Sequence, residues 1–166
     1  GFGVLKAMRE DKRTRDIPVI VVTGLLLSEE DIKRLNDGVA VILQKGLFNM
    51  DETADHIETT LNQKSKLSHE TQALIRQAMA YIHEHYYEPI SREDIAQHIN
   101  ISKDYLTYCF RQELKTTPIR YIQRYRINIA KSLLKETDKS VTEIALAVGF
   151  SDGGYFSRIF SRELGL

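Results

Sequence analysis

The spacing of apolar positions changes character part-way along the chain. Up to about residue 66, short runs of aliphatic and β-branched residues alternate with segments of helical period. Ile17-Pro18-Val19-Ile20-Val21-Val22-Thr23 is a continuous run of the kind that predicts a strand covered on both faces. Val39-Ala40-Val41-Ile42-Leu43 predicts a second such strand. Between them, Ser28-Glu29-Glu30-Asp31 reads as a capped helix start, and that helix is expected to end near Gly38. After the second strand, Ala54, Ile57 and Leu61 share one face of a helix running from about Met50 to Gln63. Helices and buried strands in alternation predict a parallel sheet covered by helices.

Beyond residue 67 the period is helical throughout. Ser68 to Tyr87 reads as a helix, with Leu74, Ala78, Tyr81 and Ile82 on one stripe, and Glu88-Pro89 ends it. Ser91 caps a short helix carrying Ile95, Ala96 and Ile99, and Ser102 caps a longer one with Tyr105, Leu106, Cys109, Phe110 and Leu114 as its apolar residues. Thr117-Pro118 opens a long helix to about Lys135, with Ile122, Ile129, Leu133 and Leu134 expected inward. Ser140-Val141-Thr142-Glu143 is a capping box before a short helix that stops at Gly149, and a last helix runs from about Ser151 to Leu164. The expected organisation is an α/β segment over 1–64, then an all-α domain of about seven helices over 65–166.

The helical part contains an internal repeat. Ile95-Ala96 corresponds to Ile144-Ala145, Ile101-Ser102 to Phe150-Ser151, Tyr105-Leu106 to Tyr155-Phe156, and Phe110 to Phe160. Two units of short helix, turn and longer helix, over 93–114 and 141–164, are thus joined by one long helix. Ala145 is small enough for two short helices to cross closely, Gly149 permits a left-handed turn, and Phe150, Phe156 and Phe160 are candidates for the core beneath the last helix.

Composition narrows the function classes. The 166 residues suffice for one or two small domains, and 42% hydrophobic with 28% charged residues suits a globular chain. No apolar run approaches the ~20 residues of a membrane-spanning helix. The first residues, Gly1 onward, read as the middle of a helix, so the chain is expected to be part of something longer. Cys109, the one cysteine, has no internal partner, which suits a reducing cytoplasm, and its apolar neighbours make it a core residue. Net charge is zero, but Lys and Arg number 10 against 11 acidic residues over 1–66, 2 against 5 over 67–100, and 11 against 7 over 101–166. Positive charge is thus concentrated in the last third, a modest footprint for nucleic acid. His83 and His85 point to different faces of their helix, so no metal site is expected. No phosphate-binding glycine loop, nucleophile elbow or carboxylate pair stands out, and the expectation is a protein without enzymatic activity or cofactor.

The run Ser140-Val141-Thr142-Glu143-Ile144-Ala145, then Val148-Gly149-Phe150-Ser151-Asp152 and Tyr155-Phe156-Ser157-Arg158-Ile159-Phe160, resembles the motif of AraC/XylS-type bacterial transcription regulators. Arg126-Ile127-Asn128-Ile129-Ala130-Lys131-Ser132-Leu133-Leu134 is similar to that family's linker helix, and the resemblance covers about 69–166. It implies a double helix-turn-helix, homeodomain-like domain in which the second helix of each unit enters the major groove of double-stranded DNA. Carried over by position, the base-reading candidates are Lys103, Asp104, Thr107 and Tyr108 in the first unit, and Tyr155, Ser157 and Arg158 in the second. Arg158 suits a bidentate contact to guanine, Asp104 a cytosine amino group, and Tyr108 a thymine methyl. Ser102, Arg111, Arg120, Arg124, Arg126 and Arg162 are the phosphate candidates, with Lys131 on the same linker helix. Gly153-Gly154 stands where the family has polar side chains, so the second unit is expected to read fewer bases. RNA polymerase and self-association are further partners that the resemblance admits.

Residues 1–64 resemble the second half of a response-regulator receiver, a flavodoxin-like α/β fold. Thr23 at one strand end matches the switch Thr/Ser, Lys45 at the next strand end matches the lysine that pairs with a phosphoryl group, and Gly38 matches a turn glycine. Gly46 stands where a proline usually follows the lysine, and Ile42 where an aromatic switch residue is common. The expectation is therefore the output end of a bacterial two-component signalling protein, mostly α, that binds DNA in sequence-specific fashion. Two alternatives stay open at this level. One is a protein–protein interaction module, and the other is the C-terminal part of a hybrid sensor kinase with a degenerate receiver.

Overall fold

The computed structural model describes residues 2–24, 28–35, 39–62 and 69–165. They divide by packing into two compact units, residues 1–80 and 81–166. The first unit holds α1 (Phe2–Glu10), β1 (Val19–Thr23), α2 (Glu29–Leu35), β2 (Val39–Gln44), α3 (Met50–Asn62) and the start of α4 (His69–His85). The second holds the end of α4, α5 (Arg92–His98), α6 (Lys103–Leu114), α7 (Pro118–Glu136), α8 (Val141–Ala147) and α9 (Gly153–Leu164). Gly38 and the boundary expected at 64/65 lie outside the described residues, and the division by packing falls inside α4.

In the first unit, Ser28 Oγ accepts from Asp31 N while the Asp31 carboxylate accepts from Ser28, so α2 starts on a reciprocal cap. β1 and β2 pair in parallel, from Val19 opposite Val39 to Thr23 opposite Gln44. Leu5, Ile32, Leu35, Val39, Ile42 and Ala80 form the core. In β2, Val39, Ile42 and Leu43 are buried, as expected of that run, and so is Gln44. β1 is not covered on both faces: Val22 is 42% exposed, and Ile17 lies outside the strand and is likewise exposed. Val19 and Val21 pack against the core, while Val22 points to the other side of the pleat, so that face of β1 lacks the cover its apolar run implies.

The second unit shows why the repeat folds as a repeat. Both short helices open on a capping box, Ser91 with Asp94 and Ser140 with Glu143. α6 and α9 are each 12 residues long and correspond position by position, from Lys103 and Gly153 to Leu114 and Leu164. Their N-caps are Ser102 and Asp152; the second helix is capped by the aspartate rather than starting at Ser151. The two turns take the same left-handed residue, Asn100 at φ 57° and Gly149 at φ 90°. The second turn is one residue longer, and Phe150 within it shares a core with Phe156 of α9. The described part of this domain has six helices, α4 to α9, rather than about seven.

α7 runs between the two repeats. Tyr121, Ile122, Tyr125, Ile127 and Ala130 are buried along it. Ile127 and Ala130 pack with Ile144, Ala145, Val148, Phe150, Phe156 and Ile159, and Ile129, Leu133 and Phe160 close this core from the side. Leu134, expected inward, is instead exposed, because α8 and α9 meet the opposite side of the last turn of α7. His83, in the last turn of α4, stacks on the Tyr125 ring at 4.2 Å and bonds the Tyr121 hydroxyl at 2.9 Å, which fixes this end of the helix against α7. Gly149 is forced for two reasons. Its φ is left-handed, and a Cβ there would lie 2.7 Å from the Tyr86 carbonyl oxygen and 2.9 Å from that of Tyr87.

Gly149→Ala is therefore expected to destabilise the second unit by about 2 kcal/mol or more, measured by urea unfolding of the full chain followed by circular dichroism. Gly153→Ala, where a Cβ would meet nothing nearer than 3.7 Å, serves as the benign comparison. Retention of wild-type stability by Gly149→Ala would refute the close approach.

Acid should weaken the same unit through its caps. Asp94, Glu143 and Asp152 accept hydrogen bonds at helix starts, which hold their carboxyls below the usual range. A depressed folded pKa contributes stability that is present above the unfolded value, 3.8 for Asp and 4.5 for Glu, and is lost as pH falls through the lower folded value. The melting temperature should hold steady down to about pH 5 and then fall. Asp152→Asn, which keeps a capping oxygen but does not titrate, should show a shallower fall, and an identical profile would argue against the cap.

Candidate nucleic-acid interface

The outward faces of α6 and α9 follow directly from what the inward faces bury. Leu106, Cys109, Phe110 and Leu114 of α6 point into the unit, so Asp104, Thr107, Tyr108 and Arg111 form the opposite stripe. On α9, Phe156 and Ile159 are buried, which turns Gly154, Ser157, Arg158 and Arg162 outward. Position for position, Asp104 matches Gly154, Thr107 matches Ser157, and Tyr108 matches Arg158. Asp104, Thr107, Tyr108, Ser157 and Arg158 thus face outward, and the two stripes carry different chemistry.

In the first unit the stripe is ordered by charge. Lys103 Nζ lies 3.0 Å from Glu93 Oε1, and Arg92 reaches Asp104 Oδ1 at 3.8 Å and Thr107 Oγ1 at 3.3 Å. Thr107 Oγ1 also donates to the Lys103 carbonyl at 2.9 Å. Arg92 is a residue that sequence reasoning missed. It sits at the first position of α5, where nothing in the local pattern distinguishes it from a solvated arginine. Tyr108 is half exposed, with its ring stacked beside that of Tyr105 at 6.2 Å.

In the second unit the matching positions are Val141, Thr142, Gly153 and Gly154, and the charge network is absent. Neither glycine is required sterically: a Cβ at Gly153 or Gly154 would make ordinary contacts with Thr142 or with the Asp152 side chain. Asp152 caps α9 by accepting from Gly154 N at 3.1 Å and Tyr155 N at 2.8 Å. Arg158 is exposed, with its guanidinium 5.9 Å from the centre of the Tyr155 ring. Ser157 Oγ donates to the Gly153 carbonyl. Gln123 of α7, also missed from sequence, donates through Nε2 to the Tyr155 hydroxyl at 2.7 Å.

The phosphate candidates divide into two groups. Ser102, Arg111, Arg120 and Arg162 are exposed, and Ser102 sits at a helix N-terminus where backbone N–H groups favour an anion. Arg124 and Arg126 are not on that surface, which corrects the expectation for both. Arg124 pairs with Glu163 at 3.0 Å, with each side chain about 10% exposed. Arg126 donates to the carbonyls of Tyr86 and Glu88, each at 2.7 Å, and its guanidinium lies over the Phe150 ring. Burial lowers the Arg126 pKa from its ordinary value. The reason is tertiary: the middle of α7 is packed between neighbouring segments, which claim Arg124 and Arg126, while Arg120 near its start stays exposed.

Thr23 and Lys45 of the first unit stand together at one end of the parallel pair, where Lys45 N donates to the Thr23 carbonyl at 2.7 Å. Gly46 takes φ 87°, which proline cannot adopt, so the departure from the receiver pattern has a backbone consequence. Ile42 is buried in the core. Among the described residues no cluster could hold a metal ion, and no helix is long and apolar enough to cross a membrane.

Two capped short-helix/turn/long-helix units, each with a solvent-facing second helix and joined by a buried linker helix, define a double helix-turn-helix DNA-binding domain. A family described as helix-turn-helix domain matches residues 95–166. The chain is 30% identical over 138 residues to the melibiose operon regulatory protein of Escherichia coli K12, a match covering 82% of this chain and 46% of that protein. It is 40% identical over 91 residues to the HTH-type transcriptional activator RhaS of an Enterobacter species, covering 55% of this chain and 33% of the relative. The chain thus spans less than half the length of these curated relatives. An AraC-type transcriptional regulator from Chromobacterium violaceum superposes with a TM-score of 0.56 at 33% identity, over 60% of this chain and 88% of that one. The C-terminal domain of AraT, a response regulator from Geobacillus stearothermophilus, superposes with a TM-score of 0.54 at 32% identity, over 56% of this chain and 78% of its own. The helical part of this chain is an AraC-type helix-turn-helix domain.

The inward arginines make a prediction. Arg124→Ala is expected to destabilise the full chain by about 3 kcal/mol, because it leaves Glu163 charged, largely buried and without this partner. Denaturant unfolding reads this directly. Unchanged stability together with a flattened salt dependence of DNA binding would restore Arg124 to the phosphate contacts.

Proposed function

We propose that this chain is the DNA-reading output end of a bacterial signal-transduction regulator. α6 and α9 would lie in two successive major-groove segments of one asymmetric site. The observation that carries this reading is the positional match of the two outward stripes: the same helix positions face outward in both units, yet different side chains occupy them. Tyr108 offers an apolar ring suited to a thymine methyl, and Arg158 a fork suited to guanine O6 and N7. Lys103, Asp104, Thr107 and Ser157 complete the base-facing set, and Ser102, Arg111, Arg120 and Arg162 fix the register on phosphates. Two reading helices in one chain remove any need for a palindrome, and two major-groove segments one turn apart are separated by ~34 Å.

The domain organisation we infer is a receiver-like half-domain ahead of the helix-turn-helix domain. Thr23 and Lys45 at adjoining strand ends support it, as does the likeness of the helical part to C-terminal domains of response regulators. Gly46 and the buried Ile42 set this half-domain apart from a receiver that signals through a proline-linked lysine loop and an aromatic switch.

Operators selected from a random duplex library, titrated at two salt concentrations, test the reading. Arg158→Ala should lower discrimination at one base pair by ~1–3 kcal/mol while sparing non-specific affinity. Arg120→Ala should weaken all duplexes alike and reduce the salt slope by about one unit. Equal losses of specific and non-specific affinity on Arg158→Ala would remove it from the base readers, and failure of the wild-type chain to bind any duplex would favour a protein–protein module.

A further inference from the structure

We infer that Tyr155 is a positioning residue rather than a base reader: anchored by Gln123, its ring holds Arg158 in one pose toward the groove. The inference rests on the reading of Arg158 as the base-reading arginine of the second unit. It changes the role assigned to Tyr155 and gives Gln123 one.

The geometry places Tyr155 between two helices. Its hydroxyl accepts from Gln123 Nε2 at 2.7 Å, so the tip of the side chain is bonded to α7 and not extended into the groove. Its ring lies 5.9 Å from Phe150 on the inner side, and the Arg158 guanidinium sits 5.9 Å from the ring centre on the outer side. The Gln123 amide is engaged at both ends, since Arg162 donates to its Oε1 at 3.5 Å. The ring is therefore fixed by a hydrogen bond at its edge and an aromatic neighbour beneath it. A guanidinium resting on such a face has fewer rotamers to lose when it meets a base pair, and loss of that freedom opposes binding.

The neighbouring sequence gives the device its importance. Gly153 and Gly154 provide no side chain to crowd or orient Arg158 from the preceding turn. The Asp152 carboxylate, one turn and a half back, attracts Arg158 but is committed to capping. The first unit repeats the arrangement at the matching positions, where Tyr105 lies ring to ring with Tyr108 at 6.2 Å and 17°. In both units a tyrosine at the third helical position supports the outward residue three positions on, an aromatic in one unit and a guanidinium in the other.

The test uses the full chain with Tyr155→Phe, Tyr155→Ala and Gln123→Ala, each alone and combined with Arg158→Ala. In the free protein, the Arg158 δ-protons should show an upfield ring-current shift by NMR, lost in Tyr155→Ala and reduced in Tyr155→Phe and Gln123→Ala. On operators selected with the wild-type chain, Tyr155→Ala should lower preference at the Arg158 base pair about two- to fivefold, the worth of one exposed cation–π contact. Tyr155→Phe and Gln123→Ala should act in the same direction and more weakly. Non-specific affinity and salt slope should not move, and none of the three should add to Arg158→Ala. Loss of preference at a different base pair would make Tyr155 a base reader and overturn the inference, as would an equal loss on all duplexes. If Arg158→Ala itself leaves every preference intact, the reading of Arg158 has failed. The ring-current shift then decides the tether alone: unchanged in Tyr155→Phe and Gln123→Ala, it overturns the positioning role, and reduced, it supports it.

Discussion

A guanidinium seated among backbone carbonyls holds the helical unit in its shape. α4 ends at His85, and the carbonyls that follow need donors that Pro89 cannot supply. Arg126 of α7 supplies them, bonding Tyr86 and Glu88, and places its own face on Phe150. Gly149 then brings the turn of the second helix-turn-helix against the carbonyls of Tyr86, which Arg126 also bonds, and Tyr87, so closely that no side chain fits. Three segments distant in sequence thus converge on one helix terminus. Truncating Arg126 would leave carbonyls unsatisfied, and adding a methyl at Gly149 would push the turn away.

On this frame the two helix-turn-helix units are built alike and equipped differently. Both short helices open on capping boxes, both turns hold a left-handed residue, and the inward pair Leu106 and Cys109 matches Phe156 and Ile159. The outward positions do not. The first unit surrounds its reading helix with Arg92, Glu93, Lys103 and Asp104, a set of exposed pairs of small individual value whose combined effect is to order the side chains. The second replaces all four with Val141, Thr142, Gly153 and Gly154 and leaves Arg158 and Arg162 as its exposed cations on α9. One fold therefore presents two outward surfaces of different chemistry.

The first unit follows a separate logic. Its core is made by residues of β2, α1 and α2 with Ala80 of α4, while β1 keeps a partly exposed face. The parallel pairing sets Thr23 and Lys45 at one end, as in sheets whose functional residues gather at strand ends. Gly46 gives the chain a left-handed turn directly after the lysine, a route different from one set by proline.

Periodicity and capping chemistry were enough to place the described helices and both strands to within a few residues, because apolar spacing and Ser/Thr/Asp caps are local properties of the chain. The repeat and the outward faces of α6 and α9 were legible for the same reason: once Leu106, Phe110, Phe156 and Ile159 are inward, the opposite stripe follows from helix geometry. The fate of the arginines was not legible. Arg120, Arg124 and Arg126 look alike in sequence, and packing alone exposes the first while giving the second to Glu163 and the third to the end of α4. The capture of Tyr155 by Gln123, the bridging by Arg92 and the uncovered face of β1 likewise depend on neighbours remote in sequence. The sequence by itself determined the elements, their caps and which residue types face outward. The tertiary structure decided which charges remain for DNA, because burial and the hydrogen-bonding needs of helix ends are settled between segments and not within them.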